Sequence, residues 1–332
     1  MRTESGSAYS ECTLCPRDCR VNRTSGKTGF CGETAEMRAA AALLHFGEEP
    51  PISGIGGSGT VFFTGCTLKC GFCQNYQLSS GGVGRIISCG EAADIFLKLQ
   101  AAGAENINIV TGTHFLPGIE AAVRLAWEKG LHLPIVWNTS GYENAAGMEM
   151  LDGFASVYLP DVKTVSPAVS AELYRAPGYA EAVRSAVKTM VRTRPLRWKG
   201  EHNKEPLLAE GVIIRHLVLP GHLDISRDVL RWYADEIGDE ALFSLMFQYT
   251  PMSPSGGAGA RLTFSEEIPQ RRIKRDEYET VLQYLDEFGI EEGFVQEFEN
   301  DNVWYPDFTR PAPFSADDSR VIWHCHSGNE ND

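Results

Sequence analysis

The chain has 332 residues, with 44 acidic against 30 basic side chains and a formal net charge of −14. That length builds one large domain with a sizeable core, and the negative balance repels a phosphate backbone, which excludes nonspecific binding to nucleic acid. MRTESGSAYSEC lacks the apolar core of a signal peptide and no run approaches the roughly 18 to 20 apolar residues of a membrane span, so the expected location is cytoplasmic with no membrane partner.

In a reducing compartment nine cysteines read as metal ligands or catalytic groups rather than disulfides, and seven of them fall into two clusters, leaving Cys89 and Cys325 outside. The first cluster, in ECTLCPRDCRVNRTSGKTGFCGE, is Cys12, Cys15, Cys19 and Cys31. Four thiolates close a coordination shell, which suits structural zinc and a saturated iron–sulfur cluster alike. In so short a segment the metal would itself supply folding energy. Residues 1–55 are therefore assigned to a small N-terminal four-cysteine metal-binding segment, 56–300 to the main domain and 301–332 to a C-terminal tail.

From about residue 60 short apolar runs alternate with helix-like stretches, the pattern of repeated βα units around a parallel sheet. The predicted strands are TVFFTG (60–65), NINIVTG (106–112), LPIVWNT (133–139), SVYLPDV (156–162), GVIIRHLVL (211–219) and ALFSLMFQY (241–249). Helical spacing is read at 89–103, 117–130, 168–192, 226–237 and 276–288. Six units predict an α/β fold, a partial (β/α)6 TIM-like barrel with reactive groups on the loops after the strand C-termini. A Rossmann-like sheet is the alternative, but no Gly-x-Gly-x-x-Gly opens a helix after the first strand. Residues 194–210 read as a surface insertion and the glycine-rich 253–264 as a lid or a connector. The run 293–308 is either a seventh strand closing over the site or packing.

The second cluster follows the first predicted strand: GCTLKCGFCQNY places Cys66, Cys70 and Cys73 within eight positions, beside Gly65 and Gly71. Three thiolates on one curled loop can share a cubic iron–sulfur cluster and leave one iron without a protein ligand, open to another molecule. The competing reading is a zinc site completed by a distant histidine.

C-TLK-C-GF-C, residues 66–73, resembles the Cys-x3-Cys-x-aromatic-Cys hallmark of radical S-adenosylmethionine enzymes. The resemblance implies a [4Fe–4S] cluster whose open iron chelates S-adenosylmethionine and whose electron cleaves it to methionine and a 5′-deoxyadenosyl radical. It also implies that Phe72 lies near the adenine. Further motifs are similar to the activating enzymes of pyruvate formate-lyase and other glycyl radical enzymes: NTSG (138–141), with Asn138 and Ser140; PDVK (160–163), with Asp161 and Lys163; and IRHLVLPG (214–221), with Arg215. The likeness covers about residues 58–250. It implies a cofactor pocket at Asn138, Ser140, Asp161 and Lys163, catalytic roles for Lys163 and Arg215, a glycyl radical enzyme as partner, and reduced flavodoxin or ferredoxin as electron donor. Where those enzymes carry Gly-Gly-Glu this chain has TGTHFLPG (111–118), so Thr111, Thr113 and His114 are the expected holders of the S-adenosylmethionine ammonium. Modification of a peptide or small molecule is an alternative within the same chemistry, and a non-catalytic iron–sulfur electron carrier or sensor is one outside it.

Lys163 and Arg215, two cations at neighbouring strand ends, suit a carboxylate. Gln248 and Tyr249 at the sixth strand's end read as substrate contacts or their support. His216 and His222 read as structural. His324, Cys325 and His326 read as a packed tail with a free thiol rather than a metal tract.

Overall fold

A computed structural model describes residues 5–200, 206–251, 268–298, 305–315 and 317–327. Among the described residues eleven strands form one sheet: β1 (Arg38–His45), β2 (Ser58–Phe63), β3 (Arg85–Ile86), β4 (Ile107–Val110), β5 (Ile135–Thr139), β6 (Val157–Pro160), β7 (Arg197–Lys199), β8 (Leu207–Leu217), β9 (Leu242–Met246), β10 (Gly293–Val295) and β11 (Ser319–His324). Seven of them run parallel in the order β2-β4-β5-β6-β8-β9-β10. Strands β1 and β11 add antiparallel pairs beyond β2. Among the described residues β10 and β11 are the unjoined ends, so the barrel is partial as expected, with six βα units and β10 as a seventh parallel strand.

The helices follow the strands as the βα rule requires. Cys89–Ala101 starts on a capping box in which the Ser88 hydroxyl accepts from the Glu91 N–H while the Glu91 carboxylate accepts from the Ser88 N–H. The stretch predicted as one helix over 168–192 is two, Pro167–Tyr174 and Tyr179–Thr193. Arg175 is left-handed at φ 51° and Pro177 cannot continue a helix, which breaks the run. Among the described residues no helix is long and apolar enough to cross a membrane.

Strand alternation sorts the side chains. Ile135, Trp137, Tyr158, Ile214 and Phe243 pack outward against the helices, while Val136, Val157, Leu159, Ile213 and Leu242 form an apolar layer inside the barrel with Ile52. Two or four residues further along the same inward faces stand Asn138, Asp161, Arg215, Leu217, Ser244 and Met246, which line a cavity of about 660 Å³. The apolar layer is thus the floor beneath a more polar chamber at the strand C-terminal ends.

Two elements depart from the sequence reading. Residues 38–45, assigned to the N-terminal segment, form β1 within the main sheet, opposite β2 with Ala42 facing Val61 and Leu44 facing Gly59. Residues 319–324, assigned to the tail, pair with β1 as β11. The run Ala39–Leu44 is fully buried between its neighbours, so sheet pairing overrides the helical preference of four alanines. Residues 253–264 lie outside the described residues.

Candidate active site

The three-cysteine loop begins where β2 ends. Gly65 has φ 86°, and a Cβ there would come within 2.6 Å of Glu33 Cγ, 2.9 Å of His114 Nε2 and 3.0 Å of the Cys31 carbonyl, so only glycine fits this turn. The loop is then pinned at several points. The Lys69 ammonium donates to the Ser79 carbonyl, Arg17 Nε donates to the Thr67 carbonyl at 2.9 Å, and the Tyr76 N–H donates to the Cys73 carbonyl at 3.1 Å. Leu68 anchors it in the core. Cys66, Cys70 and Cys73 all line the cavity.

Burial pushes the Cys66 thiol up to about 11 and the Cys70 thiol up to about 12, so without a metal these groups stay protonated. Thiolate is reached when a cation takes the proton's place. Among the described residues the one group of three or more histidine, cysteine or acidic ligand atoms within 4.8 Å of one another is His324, Cys325 and His326. The three loop sulfurs are therefore spread more widely than a single tetrahedral ion draws its ligands, about 3.8 Å apart for zinc–sulfur bonds of 2.3 Å. A group in which each thiolate takes a different iron suits them better. His45, an imidazole in the cavity lining, packs on Phe314 with ring centroids 5.1 Å apart and meets the Asp318 carbonyl through Nδ1, so it is not a fourth ligand drawn in beside the cysteines.

Across from the cysteines the strand ends converge. Lys163 Nζ meets Asp161 Oδ2 at 2.8 Å. Burial alone would lower the Lys163 ammonium, but the Asp161 carboxylate holds it well above the ordinary lysine range. Tyr179 ties this corner together: its hydroxyl accepts from the Lys163 N–H at 3.1 Å and faces the carbonyls of Asp161 at 2.7 Å and Ser140 at 2.8 Å. Asn138 and Ser140 line the cavity beside them. Phe72 lines it too and rests on Tyr174 and Tyr249, with ring centroids 5.8 and 6.1 Å apart. Gln248 reaches the lining, whereas Tyr249 lies buried beneath Phe72 as support.

The TGTH stretch divides. Thr111, at φ 56°, lines the cavity. Thr113 does not: its hydroxyl donates to buried Glu143 at 2.9 Å. His114 is also turned away, its Nε2 on the Thr64 carbonyl at 2.6 Å, and burial lowers its imidazole to about 3, so it stays neutral. Neither therefore joins Thr111 at the expected ammonium site, because both are spent fastening neighbouring strands.

Arg215 faces the cavity, but its cation is already engaged. Its Nε donates to Glu49 Oε1 at 2.9 Å and its Nη2 donates to both Glu49 Oε2 and, at 2.5 Å, Glu48 Oε2. Among the described lining residues Lys163 and Arg215 are the lysine and arginine side chains, and each holds a carboxylate. The reading of both cations as suited to a substrate carboxylate is thereby corrected for Arg215, which two acids hold, whereas Lys163 meets one. One cation against two acids leaves that trio at −1, so a second carboxylate would be repelled.

Sequence reasoning missed Glu48, Glu49, Glu143 and Tyr179. Glu143 accepts from Trp137 Nε1 at 3.0 Å, from Thr139 at 2.7 Å and from Thr113, and burial raises its carboxyl. Adjacent acids before a proline pair in GEEPP were the only local signal for the first two. His216 is structural as read, buried between the Val162 carbonyl and the Ser226 hydroxyl. In the tail, His324 Nδ1 accepts from the His326 N–H and Nε2 faces the Phe308 carbonyl, so both ring nitrogens are engaged.

Residues 60–194 match the model of the Radical SAM superfamily. An uncharacterized protein of Methanocaldococcus jannaschii is 28% identical over 292 residues, covering 85% of this chain and 76% of that one. Among solved structures, SuiB of Streptococcus suis bound to its precursor peptide SuiA matches with a TM-score of 0.48 at 15% identity over 70% of this chain and 46% of that one, so the chain spans less than half of SuiB. The hydrogenase maturase HydG of Carboxydothermus hydrogenoformans matches at 0.48 and 15%, covering 71% of this chain and 52% of HydG. Methylornithine synthase PylB matches at 0.45 and 13%, covering 80% and 74%.

Proposed function

We propose that this chain, which carries a Radical SAM domain over residues 60–194, is a radical S-adenosylmethionine enzyme acting through Cys66, Cys70 and Cys73. One observation carries the reading: the three thiols share a single cavity with Phe72, Thr111, Asn138, Ser140 and the Asp161–Lys163 pair, all at parallel-strand C-terminal ends. The cysteines would hold a [4Fe–4S] cluster, which when bound supplies the electron that cleaves S-adenosylmethionine to methionine and a hydrogen-abstracting 5′-deoxyadenosyl radical.

The chain's own residues bind, orient and exclude water. Phe72, braced by Tyr174 and Tyr249, offers an apolar face for a flat base. Asn138 and Ser140 offer hydrogen-bonding groups for a ribose or for the amino-acid end. Lys163, kept cationic by Asp161 and set near Cys70, is placed for the carboxylate of S-adenosylmethionine. The apolar layer around Val136, Val157 and Ile213 keeps the chamber floor dry.

The acceptor favoured by NTSG, PDVK and IRHLVLPG is a backbone glycine of a glycyl radical enzyme, with reduced flavodoxin or ferredoxin as donor. A second reading, modification of a peptide or small molecule, is favoured by Pro306 and Phe314 of the tail, which line the cavity and add apolar surface for a ligand seated within it. Anaerobic reconstitution, reduction and chromatography for 5′-deoxyadenosine test the reading. Wild type forms the product and Cys70→Ala does not; no product from wild type, or persistence in the variant, defeats it.

A further inference from the structure

Cys12, Cys15, Cys19 and Cys31 lie close enough to act on one another electrostatically. Cys12, Cys15 and Cys31 are buried, and a Cβ on Gly29 would stand 3.3 Å from Cys19 Sγ and 3.8 Å from Cys31 Sγ. Four thiolates on one zinc ion would sit about 3.8 Å from one another. All four cysteines are described residues, yet no three of their sulfurs fall within 4.8 Å of one another, the span met only by His324, Cys325 and His326. In this they match Cys66, Cys70 and Cys73. Sulfurs spread this way suit a cubic cluster, in which each thiolate takes its own iron.

The four also abut the first site. The Cys31 carbonyl packs against Gly65, the neighbour of Cys66. Arg17, between Cys15 and Cys19, donates to the Thr67 carbonyl inside the three-cysteine loop. Buried Arg23 places Nη1 3.7 Å from Cys12 Sγ and on the His114 carbonyl, and His114 in turn meets the Thr64 carbonyl. A guanidinium beside the ligands favours the more negative, reduced state of whatever they bind.

We propose that Cys12, Cys15, Cys19 and Cys31 hold a second [4Fe–4S] cluster rather than zinc, and that it passes one electron to the group held by Cys66, Cys70 and Cys73. The electron enters from a reduced flavodoxin or ferredoxin and leaves to the neighbouring site; no bond breaks and no proton moves. The relay rests on the radical S-adenosylmethionine reading, whereas the metal assignment does not.

The test uses the full chain purified anaerobically, beside a Cys66→Ala/Cys70→Ala/Cys73→Ala triple variant and a Cys12→Ala/Cys15→Ala double variant. Wild type carries about eight irons, and the triple variant keeps about four with a reduced-cluster electron paramagnetic resonance signal that S-adenosylmethionine leaves unchanged. One zinc beside four irons in wild type, or a zinc-bearing, iron-free triple variant, overturns the assignment. In the double variant the ratio of flavodoxin-driven to dithionite-driven 5′-deoxyadenosine formation falls roughly tenfold or more, and an unchanged ratio overturns the relay. Should wild type form no 5′-deoxyadenosine even with dithionite, the radical reading fails, while the triple variant's iron content still decides the metal.

Discussion

Arg215 enters the barrel as a cation shared between two acids that lie 166 and 167 residues away in the chain. Burial would lower its charge, but Glu48 and Glu49 hold it firmly protonated, and Arg215 in turn keeps the Glu49 carboxyl low against its own burial. Removing one partner from so buried a trio strands the others. Arg215→Met is expected to destabilise the fold by about 3–5 kcal/mol, with part of that recovered by adding Glu49→Gln, measured as denaturant midpoints of the cluster-free chain. Lys163 is the contrasting case, since its partner Asp161 is a third exposed and can rehydrate. Lys163→Met should therefore leave stability nearly unchanged but raise the KM for S-adenosylmethionine roughly tenfold, about 1.4 kcal/mol of binding. A KM equal to that of wild type would remove Lys163 from the pocket's binding groups.

At the scale of elements, loop position depends on staples from helices and strands far along the chain. The helix Tyr179–Thr193 presents Tyr179 at its first residue, where one hydroxyl serves the loops after both β5 and β6. Tyr179→Phe leaves the part-buried Lys163 N–H without its acceptor and takes the single hydroxyl proton away from the Asp161 and Ser140 carbonyls. The expected loss is about 1–3 kcal/mol, read by thermal unfolding, with the three-cysteine loop's iron content retained. Strand β11 acts on the opposite side of the sheet. It covers the edge of β1, and Phe308 and Phe314 pack on Phe62 beneath the same crossing. A chain ending at Ser315 bares that edge and should aggregate, seen as increased light scattering at matched concentration. Strand β1 itself was illegible locally, because MRAAAALLH carries helix-favouring alanines. Burial on both faces between β2 and β11 is what makes it a strand.

Over the whole molecule, buried neutral histidines tie stability to pH. Burial lowers His216 to about 4, while the unfolded residue titrates near 6.5, so between those values the unfolded chain binds more protons. Stability is complete above about 6.5 and falls as pH drops through about 4, and His114, lowered to about 3 by burial, extends the same loss downward. The cluster-free chain's thermal midpoint should fall across that window, with a shallower slope in His216→Gln; equal slopes would take His216 out of the account. The partial barrel and the place of Cys66, Cys70 and Cys73 were readable from the amino-acid order alone. Buried parallel strands write themselves as continuous β-branched runs, and ligands on one loop are set by local spacing. The same locality put Thr111, Asn138, Ser140, Asp161 and Lys163 at strand ends, and all of them line the cavity. Direction and partnership were decided only by tertiary structure. Thr113 and His114 turn away from the cavity because Glu143 and the Thr64 carbonyl await them, and Arg215 is neutralised because the β1–β2 connection carries Glu48 and Glu49 into the barrel. Those choices depend on groups distant in sequence meeting in a low-dielectric interior, where an unpaired charge or donor is too costly to leave, and no local spacing encodes such a meeting.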